Sequence, residues 1–152
     1  MSMTRRTPTP TRRQVLAAGL GALVSVRPAA ATADELAAAI SAFAAGATLR
    51  EGRVRLDVAP LVENGNTVPI TVSVTSPMTP AEHVTAIAVF SERNPLREVA
   101  RFGLGPRSGK ATVTTRIRLA TSQQLVAVAR LSDGSCWSHA VDVIVTLAAC
   151  VE

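Results

Sequence analysis

The 152-residue sequence predicts an all-β protein: an immunoglobulin-like antiparallel β-sandwich preceded by a short N-terminal helix and followed by a short C-terminal arm. Three observations predict it. From Arg53 onward apolar residues recur with a period of two in seven short runs, turn-forming segments separate the runs at steady spacing, and no run alternates with a helical one. The composition agrees. With three Phe, one Trp and no Tyr, the core has to be built from Val, Ile, Leu and Ala.

Residues 1–33 read as an export signal, outside the fold. An arginine-bearing start leads into the apolar run VLAAGLGALVSV at residues 15–26 and then the small-residue tail RPAAATA. The run is well short of the ~20 residues that a membrane-spanning helix needs, so no membrane anchor is expected once the signal is removed. TRRQVLA, with Arg12 and Arg13 ahead of the run, is similar to the twin-arginine motif that exports already folded proteins. The expected location is therefore the periplasm. Cleavage after Ala33 would leave Asp34 at the new N-terminus, with cleavage after Ala31 the close alternative. Five of the 16 basic residues and none of the 11 acidic ones lie in this segment, leaving 11 of each in residues 34–152. The basic balance of the whole chain therefore carries no expectation of a nucleic-acid partner.

Residues 34–147 are expected to form one domain. DELAAAISAFAA, residues 34–45, reads as a helix with Leu36, Ala39, Ile40 and Phe43 on one apolar stripe and Gly46 ending it. In RVRLDV the inward set is Val54, Leu56 and Val58; in TVPITVSV it is Val68, Ile70, Val72 and Val74. ENGN at 63–66 is the turn between them. Pro69 cannot donate to a ladder, which predicts an edge strand or a bulge there. Further strands are expected at residues 83–90, 98–102, 110–119, 124–131 and 136–147, separated by SERNP, GPRSG, ATSQ and SDGS. In the last strand, parity sets Trp137, Val141, Val143 and Val145 toward the core and Cys136, Ser138 and Asp142 on the other face.

Several chemistries are not supported. GLGPRSGK at 103–110 has one residue too many between Gly103 and Gly109 for a phosphate-binding loop, and Ala111 stands where Ser or Thr is required. His83 and His139 lack Cys, Asp or Glu partners at metal-ligand spacing, so neither a metal nor another cofactor is expected. Cys136 and His139, three apart in a strand, point to opposite faces and do not form a catalytic dyad. The chain is therefore not expected to be an enzyme.

Two cysteines in an exported protein suggest a disulfide by default, but a strand over residues 136–147 sets Cys136 and Cys150 tens of Å apart, against the ~7 Å between Cα atoms that a disulfide tolerates. That leaves Cys150 as an unpaired thiol, in residues 148–152, which form the arm.

PLVENGNTVPITVSVTSPM (60–78), HVTAIAVFSERNP (83–95), VARFGLGPRSGKATVTTRIRLATSQ (99–123) and SDGS (132–135) resemble the SoxY family, the sulfur-carrier subunits of periplasmic thiosulfate oxidation. The resemblance implies an immunoglobulin-like sandwich, twin-arginine export, a SoxZ-like β-sandwich partner exported with it, and periplasmic enzymes that load and unload a swinging arm. It sets Cys150 at the position of covalent cargo attachment. SoxY proteins end in a Gly-Gly-Cys-Gly-Gly arm, whereas this chain reads Leu-Ala-Ala-Cys-Val-Glu from residue 147, similar to SoxY-related paralogues with an AACIE-type arm. The fold transfers across that departure; thiosulfate as cargo does not. Glu152 puts negative charge near the sulfur and opposes thiolate formation. The expected function is a carrier of sulfur-containing or similar cargo on Cys150. The alternative is a non-covalent immunoglobulin-like binding or structural subunit whose cysteine is vestigial or paired between molecules.

Overall fold

A computed structural model describes residues 30–147. Helix α1 (Ala30–Ala44) is followed by nine strands: β1 (Leu49–Arg50), β2 (Val54–Asp57), β3 (Leu61–Asn64), β4 (Val68–Val74), β5 (Val84–Ser91), β6 (Glu98–Gly103), β7 (Thr112–Ile117), β8 (Gln123–Leu131) and β9 (Cys136–Leu147). One sheet has the order β1-β9-β8-β5-β6, with β3 also on β9; the other has the order β2-β4-β7. The expected all-β sandwich with its N-terminal helix is the architecture found.

The two sheets enclose a core that includes Leu56, Val68, Ile70, Val72, Ile87, Val89, Leu119, Leu125 and Val143. The large sheet is covered on its other face as well. There Leu36, Phe43 and Ala44 of α1 lie on Ala86, Ala88, Phe90, Val126, Val128 and Cys136. This double burial explains why β5 reads as an almost unbroken apolar run: Ile87 and Val89 fill the sandwich, while small Ala86 and Ala88 let the helix approach. Phe43 meets Phe90 edge to face at 5.8 Å between ring centres.

Four details differ from the sequence reading. The helix starts at Ala30, inside the segment read as signal, and its end is a Schellman motif. Gly46 N–H donates to Ser41 O (3.2 Å) and Ala45 N–H to Ala42 O (3.4 Å), and the first left-handed residue is Ala45 (φ 52). Pro69 lies in the central strand of the small sheet, in unbroken register with β7. β2 pairs only as far as Thr71, and the missing N–H of Pro69 faces the space beyond its end. Glu63 and Asn64 belong to β3, so the turn begins at Gly65. Two short strands, β1 and β3, were not expected, and both run parallel to β9.

Between β1 and β3 the chain leaves the large sheet, enters the small one as β2, and returns. His139 on β9 reaches across that excursion: its Nδ1 accepts the N–H of Leu56 at 3.0 Å. A strand histidine thus ties the two sheets together.

Candidate functional site

The segment that leads to Cys150 is the end of β9, and it is held at every step. β3 pairs beside it in the order Leu61 to Ile144, Val62 to Val145 and Asn64 to Leu147. Ile144 N–H donates to Pro60 O (2.9 Å), and Gly65 N–H donates to Leu147 O (2.9 Å). On the other side Ser122 Oγ accepts Val145 N–H at 2.9 Å and donates to Val145 O at 3.3 Å. Gly65 O in turn accepts Leu119 N–H at 2.8 Å. Leu147 is therefore a fixed point built from three separate chain segments. Cys150 itself, with the rest of residues 148–152, lies outside the described residues, as do residues 1–29 of the segment expected to be an export signal.

A buried amide pair sets the loop that supplies Ser122. Asn94 donates through Nδ2 to Arg118 O (2.7 Å), and its Oδ1 accepts Ala120 N–H (3.0 Å) and Gln123 Nε2 (2.9 Å). Gln123 also donates to Thr121 O (3.0 Å) and accepts Arg93 N–H on Oε1 (2.9 Å). The two side chains knot the 91–97 loop to residues 118–123. Arg97 closes the first of these loops by donating to the carbonyls of Glu92 (2.6 Å) and Asn94 (2.7 Å), and its guanidinium pairs with Glu35 of α1. Among the described residues every buried side-chain nitrogen and oxygen has a partner. In sequence SERNP and ATSQ carry only turn chemistry; the local sign of the knot is an Asn and a Gln in segments flanked by strongly apolar strands.

The first residues of β9 lie at the opposite end of the strand. Cys136 is free and buried beneath α1, its Sγ 3.9 Å from Ala44 O. Burial pushes its thiol pKa up, with the charge of Arg130 opposing and that of Asp133 adding to the shift. It is an inert core thiol in this setting. Its face and that of Trp137, Val141, Val143 and Val145 are the opposite ones that parity predicts. His83 Nδ1 donates to Thr79 O (3.0 Å) and serves a loop. Among the described residues there is no group of three or more His, Cys, Asp or Glu that could hold a metal ion.

Solved structures share this fold at low identity. The superoxide reductase (neelaredoxin) from Ignicoccus hospitalis is 19% identical with a TM-score of 0.55, covering 62% of this chain and 80% of its own. The superoxide reductase from Nanoarchaeum equitans is 12% identical with a TM-score of 0.53, covering 63% and 100%. These likenesses concern the sandwich alone. No curated protein matches the sequence. Residues 40–150 match the family described as "Sulfur oxidation protein SoxY". That match takes in both sheets, the knotted loops, the held end of β9 and the position of Cys150, and the chain belongs to the SoxY family.

Proposed function

We propose that this protein is a periplasmic carrier that holds a sulfur-containing cargo covalently on Cys150 and works with a SoxZ-like β-sandwich partner. The observation that carries the proposal is the family match, which runs through residue 150. The strand end supports it. A carrier presents its cargo to separate enzymes, and a thiol three residues past a fixed Leu147 is presented from a defined point on the surface. Cys136 cannot share the role, because it is buried under α1. The arm lacks the glycines of the SoxY pattern, reading Leu-Ala-Ala-Cys-Val-Glu from residue 147, and the proposed cargo is a sulfur-containing group.

Replacing Cys150 with Ser in the producing organism tests this. The variant is expected to lose the cargo-dependent pathway while its unfolding free energy stays within about 0.5 kcal/mol of the parent and its β-sandwich partner still co-purifies. Full pathway activity in Cys150→Ser would overturn the carrier function and leave the non-covalent subunit in its place.

A further inference from the structure

We propose that Leu61, Ile144 and Leu147 form the docking collar for the enzyme that loads Cys150. The proposal rests on the carrier function above and adds the surface through which it operates. Among the described residues four large apolar side chains are exposed: Leu61 (57%), Leu96 (76%), Ile144 (58%) and Leu147 (62%). Three of the four sit on the β3–β9 ribbon, at the end that leads to the arm. Leu61 and Ile144 are register partners and share one face of the ribbon; Leu147, three residues further on, belongs to the other. Exposed apolar side chains thus occur on both faces near the ribbon's tip, Leu61 and Ile144 on one and Leu147 on the other. Exposed apolar side chains gathered in this way mark an interaction surface, whereas a single one needs no explanation.

Chain length identifies the occupant. Cys150 is three residues beyond Leu147, so even fully extended its Cα lies within about 10 Å of the last fixed residue. An enzyme that takes the sulfur into its active site has to bring the mouth of that site down onto the tip of the ribbon. A partner bound over α1 itself, at the far end of β9, or to the outer face of the small sheet is under no such constraint. Asp142 on β9 and Glu63 on β3 share the face of Ile144 and Leu61 and are exposed. The complementary enzyme surface is thus an apolar lip with basic residues outside it.

The test uses the full chain in its producing organism, comparing the parent with a Leu61→Ser, Ile144→Lys double variant. Two quantities are read: the fraction of chains carrying a mass adduct on the C-terminal peptide without reductant, and the rate at which the thiol reacts with N-ethylmaleimide, which needs no docking. The adduct fraction is expected to fall at least about tenfold, as loss of an interface anchor does, with the N-ethylmaleimide rate unchanged. Leu147→Ser alone reproduces the fall if the double variant folds poorly. An unchanged adduct fraction overturns the collar and leaves the carrier intact. So does a parent dimer that the variant converts to monomer, which would assign the face to a second copy, or loss of a stoichiometric β-sandwich subunit with the adduct retained. A parent with no adduct at all overturns the carrier function, and the collar with it.

Discussion

Cys136 and His139 are three residues apart on one strand, and each is explained by what covers its face. The Cys136 thiol has its pKa raised by burial, so the folded state favours the neutral thiol more than the unfolded chain does. Its contribution to stability is fully present below the unfolded thiol value of about 8.5 and is lost as the pH rises from there through the folded value. Urea midpoints measured upward from pH 8 are expected to fall in the parent and to fall less in Cys136→Ala; equal slopes would show that the thiol is not the group responsible. His139 accepts the backbone N–H of Leu56, a 3% exposed residue on the edge of β2. His139→Leu removes the acceptor and leaves that donor buried, at an expected cost of about 1–3 kcal/mol in chemical denaturation. A change below about 0.5 kcal/mol, the range of neutral surface substitutions, would mean that water or another group takes over. Neither role was legible beforehand. Parity gave the faces of both residues, but the helix that buries one and the strand edge that engages the other lie 92 and 83 positions away.

At the scale of the elements, the long periodic strands were readable and the short parallel ones were not. β4 and β9 alternate and β5 and β8 are long apolar runs bounded by turn residues, enough to reveal all four, and β9 matches its sequence bounds, residues 136–147. β1 has two residues and β3 four, too few for a period to show, and both exist because β9 offers its edge to them. Pro69 departs from the edge-or-bulge expectation for a related reason: a missing N–H requires only that no strand lies on that side at that level, and β2 pairs only as far as Thr71. The helix end departs from its sequence signal by one position. With Ala45 in the left-handed region beside Gly46, Ala45→Gly is expected to raise stability by about 0.5–1 kcal/mol, read as a higher melting temperature; a lower one would contradict the Schellman geometry. The Asn94–Gln123 knot depends on partners 24 to 30 residues apart, which no local pattern encodes. Asn94→Ala removes three hydrogen bonds and strands a carbonyl and an N–H, and is expected to cost about 2–3 kcal/mol. Because the knot sets residues 118–123, the same variant should also loosen Ser122 from Val145, seen as faster amide exchange at Val145. Unchanged exchange there would separate the knot from the strand end.

For the whole molecule, the sandwich sets the beginning and the end of β9 to different tasks. Its first residues are sealed under α1, and its last are pinned by β3 and Ser122 so that the residues beyond start from a fixed position. Strand geometry leaves Cys150 as an unpaired thiol, and the family's sequence pattern alone gives that thiol the proposed carrier position. Export is tested separately: Arg12→Lys with Arg13→Lys is expected to hold the folded protein in the cytoplasm, and its undiminished appearance in the periplasm would contradict the twin-arginine reading. The most direct test of the central claim is the intact mass of the native protein purified without reductant from cells carrying out sulfur oxidation. The carrier account predicts a reductant-cleavable adduct confined to the C-terminal peptide bearing Cys150, with Cys136 unmodified. A Cys150 that is unmodified under all such conditions, or a mapped disulfide between Cys136 and Cys150, would contradict it.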